Sequence, residues 1–333
     1  MRRVYLLVAI SLAILLIPSI AIACLWTYHT DIYGQSVVLD NPGDESYLVQ
    51  ASRDREQRAV HLQLLRAKFE RQPEIADYKE RNDYAVVLMS LGESAKAIEI
   101  LQAIEAERPN VYVTSVNLGT AYELSGELNR ALDWIKIGIE RNPDAHRGSE
   151  WLHVKILEAE IALRSDPTWL ESHSILGLDF GDDDVPVFPT TGVKGNSGQD
   201  LDWQDVESGV EYQLHERISL IPPPNAVVAD LLVDLACLRA LNQSFEIAIP
   251  IYELALEYQP THREVVEKRL ERAREIVKAN PLSLRPAPDP SVGIAKKAIV
   301  VLTLTCVGIC AAIVLGRYFA RRRIRRAATR PVE

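Results

Sequence analysis

Apolar residues recur at three- and four-residue steps through much of this chain, and this spacing predicts amphipathic helices. Residues 24–77 are predicted to form an extended lead-in and then one helix over residues 52–71, which ends before Pro73. Two pairs of helices follow, over residues 78–111 and 112–145. The chain is therefore expected to consist mainly of helices stacked in sequence.

The two helix pairs match each other at an offset of about 34 residues, the period of a helix–turn–helix solenoid. Small residues are needed where the two helices of a pair cross, because a larger side chain would push them apart. A glycine closes the first helix of each pair, and a proline stops the second. The matched positions are Ala85 and Gly119, Gly92 and Gly126, Ala97 and Ala131, and Pro109 and Pro143.

The repeat pattern continues after the second pair, then breaks and returns. A helix over 148–163 extends the stack, whereas 179–224 is rich in Gly, Pro and Asp and is predicted to be an insertion with one helix at 206–218. A third repeat follows at 229–262, and a charged helix over 263–278 has the character of a terminal cap.

These repeats resemble tetratricopeptide (TPR) repeats, most closely over residues 78–145 and less closely over 229–278. The resemblance implies an all-α fold in which antiparallel helix pairs stack into a right-handed superhelix. It also implies a concave groove, lined by the first helix of each pair, that binds peptides or partner helices. The groove-facing positions that it implies are Asn82, Val86, Met89, Val116, Asn117, Thr120 and Glu123.

The N-terminal residues 1–23 have the layout of a secretory signal peptide. Two arginines precede an apolar run, and the small-residue stretch Ala21-Ile22-Ala23 predicts cleavage after Ala23. An uncleaved membrane helix is the alternative. Cys24 directly follows the site, so a lipoprotein-type modification also remains open.

The C-terminal part predicts a membrane span. The stretch 298–315 carries no charge and is just long enough to cross a bilayer, within a predicted transmembrane helix at 296–316. Seven arginines follow it in the tail 317–333, against two lysines before it. Positive charge marks the cytoplasmic side, so the repeats are expected outside the cytoplasm, which is the periplasm if the source is bacterial. The Ala-rich signal, the possible lipid box at Cys24 and the acidic middle of the chain favour a bacterial envelope.

Charge supports this division. Residues 1–23 carry +2 and residues 296–333 carry +8, so the whole-chain charge of −9 leaves −19 for the part between them. An acidic domain lacks the basic surface that nucleic acid requires. The predicted domains are the signal peptide 1–23, the lead-in 24–77, repeats with a continuing helix 78–178, the insertion 179–224, a repeat with its cap 225–280, a Pro-rich spacer 281–295, the span 296–316 and the tail 317–333.

No catalytic constellation emerges, and no cofactor or metal is predicted. The histidines are scattered and are expected at the surface or partly buried. The acidic run Asp179, Asp182, Asp183 and Asp184 could bind a cation through oxygen ligands, although its spacing fits no calcium loop and a solvated turn is the competing interpretation. Trp203 is either an exposed anchor for a partner or packs the insertion onto the solenoid.

The sequence thus predicts a non-enzymatic, membrane-anchored scaffold that presents an acidic TPR groove to a protein partner. The alternative is that the 179–224 insertion is a small cation-binding or catalytic element carried on the solenoid. Self-association along the solenoid face is a third possibility.

Overall fold

The computed structural model describes residues 26–40, 46–71 and 77–280. The predicted signal peptide and transmembrane helix lie outside these ranges. Within them, no helix combines the length and the apolar character needed to cross a membrane.

Two short strands, β1 (Trp26–Thr30) and β2 (Ser36–Asp40), begin the described chain as a hairpin. The side chain of Asp31 accepts the backbone N–H groups of Tyr33 and Gln35 and so closes the turn. The lead-in was expected to be extended as far as residue 50, but its last residues already belong to the first helix.

Most of the rest of the described chain is helical, and short turns join the helices except between residues 165 and 203, where a long irregular segment intervenes. The helices are α1 (Ser46–Arg53), α2 (Arg55–Glu70), α3 (Tyr78–Ser90), α4 (Ser94–Glu107), α5 (Tyr112–Ser125), α6 (Leu128–Arg141), α7 (Glu150–Ser165), α8 (Trp203–Leu220), α9 (Ala226–Asn242), α10 (Phe245–Glu257) and α11 (Arg263–Ala279).

Small residues bring the helices of the first two pairs together, as their spacing predicts. A Cβ added to Gly119 on α5 would lie 2.4 Å from Cδ1 of Ile135 on α6. Gly92 and Gly126 end the first helix of each pair with φ values of +79° and +83°, the left-handed region that favours glycine. The described chain is therefore an α-helical solenoid with TPR-like helix pairs.

The predicted insertion is partly a component of the solenoid core. After α7 the chain runs irregularly to residue 202 and returns as α8, which is longer than the predicted helix at 206–218. Asp202 caps α8 by accepting the backbone N–H of Asp205. Four fully buried residues spaced along α8 belong to the same core as α9: Val206, Val210, Leu214 and Ile218.

Candidate functional site between the inner helices and α8

The first helices of the repeats, α3 and α5, and the start of α7 line a cavity of about 180 Å³ that α8 closes from the other side. We call it the groove cavity. Its lining consists of Arg58, Val86, Met89, Ser90, Asn117, Thr120, Glu123, Leu124, His146, His153, Tyr212, Gln213, Glu216, Arg217, Ser219, Leu220 and Ile221.

Five of the seven groove residues implied by the resemblance line this cavity, namely Val86, Met89, Asn117, Thr120 and Glu123. Asn82 lies beside them without lining it, and its Oδ1 accepts a hydrogen bond of 2.8 Å from Nδ2 of Asn117. Val116 is placed differently, because it is buried against Gly138 inside its own helix pair.

Glu123 lies at the centre of a buried ion network. Its carboxylate accepts a hydrogen bond of 3.1 Å from Nη2 of Arg217 and contacts Nε2 of His153 at 2.5 Å. The other ring nitrogen of His153 lies 3.5 Å from Glu150, which also contacts His146. The network thus joins α5, α7 and α8, and it occupies carboxylate oxygens of Glu123 that the prediction had left for a partner.

The charges of the network hold one another ionised. Burial alone would raise the pKa of Glu123, but the positive charges of Arg217 and His153 outweigh it and lower this pKa to about 2. Burial alone would lower the pKa of His153, but the charge of Glu123 and hydrogen bonding raise it to about 8. At neutral pH the network therefore contains paired charges.

Glu160, a neighbouring residue on α7, has a raised pKa, whereas the pKa of Glu123 is lowered. Burial, and then the negative charge of Glu123, raise the pKa of Glu160 to about 7. A protonated carboxyl can act as an acid near neutral pH, yet a buried structural network produces the same shift.

Sequence reasoning missed three members of the network, namely His153, Arg217 and the fully buried Glu150. His153 was expected at the surface or partly buried and is 6% exposed. Arg217 went unremarked, although it lies one helical turn after Gln213 on the same face of α8. Its Nη1 donates to Oε1 of Gln213 at 2.6 Å. A polar pair at helical spacing beside the apolar positions of α8 is the signal that could have found it.

The aspartates of the acidic run at 179–184 lie in different environments. Asp179 and Asp182 line a second cavity, whereas the carboxylate of Asp184 lies 3.5 Å from Arg272. No group of three or more His, Cys, Asp or Glu side chains within the described ranges is arranged to hold a metal ion. Trp203 is partly buried against the core.

No family model and no curated protein matches this chain. Solved structures that match it include a thermophilic TPR protein of Thermus thermophilus, with 16% identity over 66% of this chain and 98% of that one, at a TM-score of 0.31. A tetratricopeptide repeat protein from Parabacteroides merdae matches with 13% identity over 69% and 98% of the two chains, at a TM-score of 0.28.

The TPR domain of P58(IPK) also matches, with 16% identity over 62% of this chain and a TM-score of 0.24. This chain spans 57% of that domain's length.

Proposed function

We propose that this chain is a non-enzymatic protein-interaction scaffold whose groove cavity receives an apolar side chain of a protein partner. The observation that carries this proposal is the exposure of two apolar residues on consecutive inner helices. Val86 on α3 and Leu124 on α5 are 38% and 36% exposed, and both line the groove cavity. Apolar side chains exposed around a pocket are typical of docking sites.

The size of the cavity suits one side chain. An apolar cavity of about 150 Å³ accommodates a molecule as large as benzene, so the groove cavity of about 180 Å³ can hold one aliphatic or aromatic group. Met89 supplies a buried apolar wall. Arg58 and Glu216 are exposed and offer a donor and an acceptor to the backbone of the partner.

The lining favours a partner that inserts an apolar side chain over a partner that is recognised by the negative charge of the groove. The charged residues of the lining are Arg58, Arg217, Glu123 and Glu216, with two histidines beside them, so the groove cavity itself is not acidic. Glu123 and Arg217 pair with each other. Only the exposed residues Arg58 and Glu216 are therefore left among these four to select the charge of the partner.

A substitution at the rim tests this proposal. Val86→Arg places a charge where the partner's apolar group enters and should abolish binding of the partner that copurifies with the wild-type chain. Leu64→Arg is the matched control, because Leu64 is 66% exposed on α2 and does not line the groove cavity. Equal loss or equal retention of the partner in both variants would contradict the proposal.

We also propose that residues 296–316 anchor the scaffold in the membrane, with its repeats outside the cytoplasm and the tail 317–333 inside. The uncharged run at 298–315 and the arginines after it support this placement. Protease added to cells with a permeabilised outer barrier should degrade the repeats and spare an epitope fused to the tail. Protection of both parts, or degradation of both, would contradict it.

A further inference from the structure

A second cavity, of about 550 Å³, lies where the chain after α7 crosses α9 and the start of α11. We call it the acidic cavity. The charged side chains of its lining are the carboxyl groups of Glu171, Asp179, Asp182, Asp230 and Asp234 and the guanidinium of Arg269.

Two carboxyl groups, Asp230 and Asp234, lie one helical turn apart on α9 in this lining. Oδ2 of Asp230 accepts the backbone N–H of Ile175 at 2.9 Å. Asp234 is only 4% exposed, and its Oδ2 has no hydrogen-bond partner among the described residues. A buried carboxyl oxygen without a partner is costly, so natural proteins rarely keep one without a reason.

The only arginine in the lining does not pair with these carboxylates. The buried guanidinium of Arg269 donates instead to the backbone carbonyls of Phe180, Gly181 and Asp183 and to Sγ of Cys237. Within the described part of the chain it forms no ion pair with a carboxylate at 4.0 Å or less. Its hydrogen bonds therefore fix the loop that forms one wall of the cavity.

The rim adds negative charge. Glu171, Asp179 and Asp182 are exposed around the opening, and the two histidines His173 and His262 are exposed beside them. Five carboxyl groups therefore face one guanidinium in this lining, which favours a positively charged ligand.

We propose that the acidic cavity binds an organic cation, an ammonium or guanidinium group on a stem of side-chain length, with Asp230 and Asp234 as its acceptors. A cavity of about 550 Å³ could hold many waters at roughly 30 Å³ each, so it matches a group of several heavy atoms. A bare metal ion needs several oxygens within about 2.6 Å, which a space this wide does not impose.

Binding should displace a proton. Burial raises the pKa of Asp230 to about 6, and burial together with the charge of Asp230 raises the pKa of Asp234 well above its ordinary value. Arg269 opposes the shift of Asp234, and His262 opposes that of Asp230. A bound cation favours the ionised carboxylates, so occupancy and proton release are linked.

Calorimetric titration of the full-length chain tests the proposal. The probes are N-acetyl-arginine amide, N-acetyl-lysine amide, spermidine and calcium chloride, each in two buffers of different ionisation enthalpy. We expect the organic cations to bind with proton release. Binding of the amino-acid amides alone would identify a peptide side chain as the source of the cation, and binding of spermidine alone would identify a free amine.

Substitutions in the cavity test whether the heat of cation binding arises from the acidic cavity. Asp230→Asn and Asp234→Asn should each weaken binding at least about tenfold, whereas Asp133→Asn, on the exposed face of α6, should leave it unchanged. Asp234→Asn should also raise the melting temperature near neutral pH, because the raised pKa of Asp234 opposes folding at that pH and an amide does not ionise. Absence of binding by every organic cation, tighter binding of calcium, or equal binding by all three variants would overturn the proposal.

This inference is independent of the groove cavity, since the two cavities share no lining residue. Failure of the cation titration leaves the scaffold proposal standing, and retention of the protein partner by Val86→Arg, which contradicts the scaffold proposal, leaves the cation site standing.

Discussion

Nη2 of Arg217 donates a hydrogen bond of 3.1 Å to Oε1 of Glu123, although 94 residues separate them in the chain. Both side chains are less than a tenth exposed. This pair joins α8 to the inner helix α5, so the protein itself fills part of the groove that a simple TPR-like array would leave open. In the proposed scaffold, the partner enters the remaining cavity, which Val86 and Leu124 line.

Removal of Arg217 should destabilise the protein strongly. Arg217→Ala leaves the carboxylate of Glu123 buried beside only one cation, and breaking a buried pair in this way costs about 3–5 kcal/mol. Urea unfolding measures the change. Arg130→Ala is the control, because Arg130 forms an exposed pair with Glu127 that contributes no more than about 1 kcal/mol. Similar losses in both variants would show that the network does not fix α8.

Stability should fall as the pH rises from 6.5 to 8. The pKa of His153 is about 8 in the folded state against 6.5 ordinarily. A raised histidine pKa stabilises the fold fully below pH 6.5, and this contribution is lost as the proton leaves near pH 8. The shift corresponds to roughly 2 kcal/mol, measurable by urea unfolding at a series of pH values.

The variant His153→Gln separates the contribution of His153 to the pH dependence of stability from that of the neighbouring Glu160. Glu160, with a pKa raised to about 7, favours the fold when protonated and so lowers stability in the same direction between about pH 4.5 and 7. The variant should show a shallower fall in stability between pH 7 and 8. Because the charge of His153 lowers the pKa of Glu160, its loss should also extend the contribution of Glu160 to higher pH. An unchanged slope above pH 7 would exclude His153 as its source.

Gly119→Ala should destabilise the first half of the solenoid. Alanine in place of glycine ordinarily stabilises a helix interior by about 1 kcal/mol. Here the added Cβ would lie 2.4 Å from Cδ1 and 2.6 Å from Cγ1 of the fully buried Ile135, so we expect a net loss of about 1–3 kcal/mol. Thermal unfolding measures it.

Gly192→Ala is the matched control, because its added Cβ would meet nothing within 4 Å. If Gly119→Ala proved as stable as this control, the small residues of the repeat would not be set by the crossing of the helices.

The repeat architecture could be predicted from the sequence because its determinants are local and recur. Gly92, Gly126 and the two prolines after them fix where helices end, and Gly119 marks where two of them touch. Each of these constraints acts within one helix pair, so the spacing alone reveals it.

The position of α8 could not be predicted in the same way, because it depends on contacts such as that between Arg217 and Glu123 that have no fixed spacing. The irregular segment before α8 hides it further, since a Gly- and Asp-rich stretch is typical of an insertion. The role of Asp234 could not be predicted either, because the lack of a hydrogen-bond partner for its Oδ2 depends on the three-dimensional surroundings of this residue. A hint was present, since Asp230 and Asp234 interrupt the apolar helix α9.

A photo-crosslinking residue at position 124, introduced in living cells of the source organism, shows whether a protein partner enters the groove cavity. We expect one dominant protein adduct that disappears when Val86→Arg is added and that does not form from position 64. No adduct at position 124, or the same adduct at position 64 and in the Val86→Arg background, would contradict the claim that a partner enters the groove cavity.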